Sequence, residues 1–239
     1  MQKTKKIKTI IGTIYLILLF IFLYLFFSKF TFEEITTYKF IHSYTEYLIN
    51  IKETNTMLLS FGFVLITVLW VFLLGFGGPI LIISGFIFGK WLGLLLAVSS
   101  MSIGATVLYI FGNYFFKDLI KEKFLNKFKN LESKFRENEF TFFLIYRFIG
   151  GIPFQIQNLL PVLFNIKIKN YFFGSFLGII PQGFIVVSLG SGISKIIKNN
   201  DSIPTIKELL LSSEIYLPII GFVFLIFLTI ILKKFFYKN

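Results

Sequence analysis

The sequence predicts an all-α integral membrane protein with about four transmembrane helices and two facing re-entrant hairpins. Three observations carry that prediction. Of 239 residues, 56% are hydrophobic and 20% aromatic, with a mean hydropathy of +0.80, well above what a soluble domain of this length carries. Charge is gathered into short stretches between apolar runs, several of them long enough to cross a hydrocarbon core of about 30 Å. Two of the runs are interrupted by glycine and proline, which leave the helix through backbone freedom and through a missing N–H with a steric clash.

The first apolar run, Ile7 to Phe27, is uncharged apart from Lys8. Lys3, Lys5 and Lys6 precede it and no small-residue cleavage site follows, so it reads as an uncleaved signal anchor with a cytoplasmic N-terminus rather than a removed signal peptide. Residues 28–57 form a polar segment, placed outside by that orientation. Met57 to Gly89 then runs 33 residues without a charge, too long for one comfortable span, and breaks at GFGGP, with Gly75, Gly77, Gly78 and Pro79. The limb beyond the break is too short to cross. Residues 58–89 therefore read as a re-entrant hairpin, and Trp91 to Phe116 as a full span.

Residues 117–139 hold seven Lys/Arg, the densest positive loop in the chain, which places them in the cytoplasm. Their apolar residues recur every three or four positions, as in an interfacial amphipathic helix or a connecting helix packed on the protein's own cytoplasmic side. A second broken hairpin over 140–166, a span from Tyr171 to Ile193, a polar loop 194–214 and a last span from Ile215 to Leu232 complete the chain. The expected units are 1–57 (anchor and outer segment), 58–193 (core) and 194–239 (loop and final helix). Both termini fall in the cytoplasm of a multi-pass cell-membrane protein. FGGPILI at 76–82 and IGGIPFQI at 149–156 lie in similar surroundings and enter from opposite sides, an arrangement compatible with an inverted repeat.

The candidate site is YRFIGGIPFQIQN, residues 146–158. Arg147 is the only charge between Phe140 and Ile166, and a cation in mid-membrane costs about 2.5–3.5 kcal/mol on insertion scales. One reading places Arg147 on a cavity or an anion. The other places it at the cytoplasmic edge, snorkelling to headgroups. Non-helical backbone at membrane depth must be buried in protein or line water, so Gly150, Gly151 and Pro153 imply a cavity or a tight seam. Gln155, Gln157 and Asn158 supply polar footing. Helices restarting after Pro79 and Pro153 offer free N–H groups to an anion, while Gly75, Gly77 and Gly78 equally suit close helix packing. Because no Asp or Glu occurs from Thr54 to Lys117 or from Thr141 to Asn200, Arg147 has no acidic partner in the apolar core. A transient phosphate suits it better than a permanent salt bridge.

Enzyme readings fare badly. Cysteine is absent, which excludes disulfides, thiolate metal sites and cysteine nucleophiles. There is no zinc-protease histidine pair, no GxSxG elbow and no P-loop, so no catalytic residues, metal ligands or cofactor are expected. The net charge of +12 is better explained by cytoplasmic orientation and anionic lipid than by nucleic acid. The expected partners are membrane lipids, anionic or phosphate-bearing; the oligomeric state is open.

These residues together resemble the VTT-domain, or SNARE-associated Golgi protein, branch of the DedA superfamily, over roughly residues 70–193. The resemblance rests on the first break followed by SGFIFG, with Gly85 and Gly89, then Gly93 and Gly104–Ala105. It continues in Arg147 with Pro153, Phe154 and Asn158 at the family's spacing, and in FFGSFLGIIPQ with Gly174, Gly178 and Pro181, then Gly190. Gly150, Asn113 and Pro161–Val162 stand where the family often has proline, a basic residue and glycine. The first hairpin lacks the carboxylate of other DedA branches, so proton coupling does not carry over. The resemblance implies two facing re-entrant hairpins and movement of lipids across a bilayer, as a flippase of undecaprenyl phosphate or phosphatidylethanolamine or as an energy-independent scramblase. The competing readings are a non-transporting membrane-organising factor, using the basic residues of 117–139, and a transporter of a soluble solute.

Overall fold

The computed structural model describes residues 2–29, 38–117, 122, 138–148, 152–199 and 211–236. Among the described residues every regular element is helical. In chain order these are α1 (Gln2–Lys29), α2 (Tyr38–Phe72), α3 (Gly77–Phe88), α4 (Lys90–Phe115), α5 (Glu139–Phe148), α6 (Phe154–Leu159), a 3₁₀ turn (Leu160–Leu163), α7 (Ile168–Asn199) and α8 (Ser213–Phe236). Apart from Glu122, the basic stretch 118–137 lies outside the described residues, as do Gly150, Gly151 and the loop 200–210.

Three described segments are long and apolar enough to cross a membrane: Ile51–Phe72, Lys90–Phe115 and Ile168–Ile197. The second and third coincide with expected spans. The terminal spans also form as helices, with shorter described apolar stretches at Ile10–Ile21 and Ser213–Leu228. The first long segment begins inside the polar segment 28–57, where the chain is helical from Tyr38 and runs into the first hairpin limb. Alternating charges carried no apolar period there, so the helix was not legible. Asn55 leaves helical geometry at φ −154°, ψ 78°, and its Oδ1 accepts the Leu58 N–H at 2.9 Å. It caps a fresh start inside α2, a position for which asparagine is well suited.

The first hairpin folds back on itself. Near its tip the Trp70 indole N–H donates to the Phe76 carbonyl at 2.9 Å, and at its open end the Phe63 and Phe88 rings lie 5.4 Å apart. The next helix reverses again at Gly89, whose φ of 81° suits a residue without Cβ. Along α4, Gly93 lies against Ser84, while Met101 and Gly104 reach Gly77 and Val71. The tip of the hairpin thus rests near the middle of a helix of 26 residues, about 39 Å long.

The second hairpin opens at the other end of α4. One Glu139 oxygen accepts both the Lys167 N–H and the Asn170 amide at 2.8 Å, which ties its entrance to its exit. Lys117 donates to Asn165 Oδ1 at 2.7 Å, and the Tyr109 hydroxyl donates to the Ile166 carbonyl at 2.6 Å. Its returning limb begins at Phe154, and a Cβ built on Gly77 would stand 3.3 Å from that ring. The two hairpins therefore enter from opposite ends of α4 and meet halfway along it, the arrangement an inverted repeat requires.

α7 binds the halves together. At its crossing with α3, a Cβ on Gly85 would run into the Val187 carbonyl and one on Gly190 into that of Ile82. Without a hydrophobic drive between helices in lipid, close backbone approach of this kind supplies the packing. α1 covers the first tip, its Tyr15 hydroxyl donating to the Phe72 carbonyl at 2.7 Å. α8 runs back along α7, with Gly192 at Glu214 and Gly221 at Ile185, and a Lys195–Glu214 ion pair of 2.8 Å.

Gly85→Ala and Gly190→Ala are each expected to destabilise the detergent-solubilised protein by about 1–3 kcal/mol, because the clash is with backbone that cannot rotate away. Gly78→Ala, with nothing within 4 Å of its Cβ position, is expected to leave the unfolding temperature near wild type. Thermal unfolding followed by size-exclusion chromatography measures all three.

Candidate functional site

Arg147 is fully buried, at 0% exposure. It sits in the last turn of α5, whose Asn138 side chain accepts the Thr141 N–H at its start. Helical spacing puts Phe143 one turn below it on the same face, with the guanidinium carbon 5.2 Å from that ring centroid and 5.3 Å from that of Tyr171. Nη1 donates to Asn158 Oδ1 at 2.7 Å and Nη2 to the Tyr171 hydroxyl oxygen at 2.9 Å. That hydroxyl in turn donates to the Asn158 backbone carbonyl at 2.9 Å. One arginine, one asparagine and one tyrosine so close a ring joining α5, α6 and α7 across the second break.

The ring holds a full positive charge against neutral acceptors only. Among the described residues no carboxylate reaches Arg147, and its Nε and the Asn158 Nδ2 have no acceptor. Taking a cation out of water costs several kcal/mol even after relaxation; two hydrogen bonds and two aromatic faces offset part of that. Tyr171 is itself stacked on Tyr109, centroids 4.3 Å apart at 13°, and on Phe143 at 4.9 Å. Gly178 makes room for the arginine, since a Cβ there would lie 2.5 Å from Arg147 Cβ.

The other candidates separate into two groups. Gln157 and Asn158 are buried beside the ring, the Gln157 amide 3.4 Å from the Tyr146 carbonyl. Gln155 is half-buried and Pro153 exposed at the start of α6. In the first break, Gly75 is packed on the Trp70 indole and Gly77 on Met101 and Phe154, which is the close-packing role. Gly78 and Pro79 are exposed. Pro181 lies within α7, where it removes one helical N–H.

Sequence reading did not single out Tyr171 and Tyr109. The available signal was a hydroxyl in an apolar run, since a buried tyrosine needs a partner for its O–H.

The described core is that of a helical membrane protein built on two opposed, broken hairpins closed over a buried arginine. Residues 76–192, just under half of the chain, match the VTT domain, and the relatives this chain resembles are membrane proteins of the DedA/VTT family. It is 25% identical over 152 residues to a Transmembrane protein 41 homolog of Caenorhabditis elegans, covering 61% of each chain. It is 29% identical to a Transmembrane protein 41 homolog of Dictyostelium discoideum, over 62% of this chain and 47% of that one. The uncharacterized protein YqeD of Bacillus subtilis is 27% identical over 64% of this chain and 67% of its own length. The alignments thus span 61% and 47% of the two Transmembrane protein 41 homologs. No solved structure gives a significant match.

Tyr171→Phe removes the acceptor for Nη2 and the donor to the Asn158 carbonyl while keeping the ring stack. It is expected to cost about 1–3 kcal/mol of stability. Asn158→Leu should cost a similar amount, and the double variant less than the sum, because one ring is broken in both. Unfolding of the detergent-solubilised variants measures the coupling.

Proposed function

We propose that this protein moves phosphate-bearing lipid headgroups across the bilayer at the junction of its two hairpins, the acyl tails staying in the hydrocarbon. The observation that carries the proposal is the meeting of two broken limbs at mid-length of α4, with α6 also bonded to an arginine that no carboxylate reaches among the described residues. With the two breaks meeting inside the bilayer, separating the tips would shorten the apolar distance a headgroup must travel. Arg147 is the electrostatic attraction at that point. Its ring with Asn158 and Tyr171 is the closed state, and a phosphate oxygen entering on loosening supplies the anionic acceptor that the ring lacks. Gln155, Gln157 and Asn158 give the headgroup polar contacts, and Gly150, Gly151 and Pro153 hold the hairpin open. We place both termini on the cytoplasmic side of a cell membrane. Relatives named as transmembrane proteins agree with the setting and leave the lipid to experiment.

Liposomes reconstituted with purified protein, with leaflet-selective quenching of fluorescent phospholipids, test this reading. Wild type is expected to lose protected signal far faster than empty liposomes. Arg147→Gln should be slower by about tenfold or more, the loss of one charge-assisted hydrogen bond, and Arg147→Lys should be intermediate. An Arg147→Gln protein with a normal elution profile and wild-type rate would remove the arginine from the mechanism. Wild type indistinguishable from empty liposomes would remove the movement of those lipids.

A further inference from the structure

A cavity of about 360 Å³ opens between α7 and α8, at the end of α4 where the first hairpin opens. That volume lies within the range of about 300–1,000 Å³ typical of ligand pockets. Its walls include Phe184, Leu217, Pro218, Gly221 and Phe224, and its polar members are Lys90 and Ser188. Ser188 is 4% exposed and its hydroxyl has no partner among the described residues, which is costly for a group in an apolar wall unless something else supplies the bond. Lys90, half-buried, has its ammonium 5.8 Å from the Phe184 ring centroid. Among the described residues no carboxylate pairs with it.

Lys90 is also the first residue of α4, whose N-cap Gly89 makes no side-chain cap and whose first turn has no acid. The partial positive charge of the helix N-terminus therefore adds to the ammonium. We infer that this groove binds one anionic phospholipid, its phosphate at Lys90 and the start of α4 and an acyl chain between α7 and α8. A soluble anion would leave the apolar length unused. A packed partner helix would leave the cavity and the Ser188 hydroxyl empty. One charged end above an apolar slot is the layout of a lipid. The site lies eleven residues along α4 from Met101, about 16 Å from the meeting of the hairpins. It needs no transport and stands apart from the arginine ring.

Trp91, 74% exposed and 5.6 Å from the Phe184 ring, reports on the groove directly. Full-length protein in phosphatidylcholine vesicles would be titrated with phosphatidylglycerol, or separately phosphatidylcholine, brominated on its acyl chains. Subtracting a Trp91→Phe protein isolates the Trp91 signal. Wild type is expected to favour phosphatidylglycerol by about fivefold in apparent affinity, the attraction of one lysine to anionic lipid. Lys90→Gln should bring the ratio close to one. Gly221→Leu should weaken binding of both lipids by filling the slot, and Ser188→Ala provides a milder change should that variant misfold. Equal affinities in wild type, or a preference that survives Lys90→Gln, would overturn the inference. Abolition of the preference by inorganic phosphate would overturn it in favour of a free-anion site. Because the readout is equilibrium binding in symmetric vesicles, a failed transport assay leaves this result standing, and the converse holds.

Discussion

A buried guanidinium that no carboxylate reaches among the described residues is the constraint on which the rest of the core turns. Three helices deliver neutral acceptors and aromatic faces to Arg147 at once. A salt bridge would need a single partner and would tolerate movement around it. A ring of neutral acceptors is geometrically stricter, because each hydrogen bond offsets only a small part of the cost of removing the charge from water. The stricture explains features otherwise unconnected. Gly178 is small so that α7 can lie against the arginine's Cβ, and Tyr171 is fixed by stacking on Tyr109 and Phe143. Glu139 spends one carboxylate oxygen on closing the mouth of the hairpin.

The two hairpins are held in different ways. Among the described residues the ring leaves Arg147 Nε and Asn158 Nδ2 without acceptors while it links α5, α6 and α7. The first hairpin has no equivalent charge. Its tip is held by glycine packing, by the Trp70–Phe76 bond and by the cover of α1. The two opposed hairpins are therefore held differently: the first by close packing and bonds to backbone carbonyls, the second by polar bonds to a charged side chain.

Much of this was legible in the sequence, for identifiable reasons. A long uncharged run broken by Gly75, Gly77, Gly78 and Pro79 read as a hairpin over 58–89, and the chain does turn back between Phe72 and Gly77. Arg147 and Asn158 were both singled out as site residues, but the hydrogen bond of 2.7 Å between them was not read from the sequence. The choice between a cavity-facing and a snorkelling Arg147 was not legible, because depth is set by α7, far away in the chain. Nor was α2 between Tyr38 and Met57, where mixed charges hide a helix restarted by Asn55. Tyrosines in an apolar run look like filling until the acceptor for their hydroxyl is known.

The central claim is that two half-depth hairpins enter from opposite faces and meet inside the membrane, and sided labelling of single cysteines tests it most directly. The chain has no native cysteine, so Trp91→Cys, Ile168→Cys and Phe76→Cys can each be challenged with a membrane-impermeant maleimide from either side. All three positions are exposed on the protein surface. The account predicts that Trp91→Cys and Ile168→Cys react from opposite sides and that Phe76→Cys is protected from both. Phe76→Cys reacting as fast as Ile168→Cys from the same side would mean that α2 crosses completely, and the meeting of the hairpins at mid-depth would be wrong.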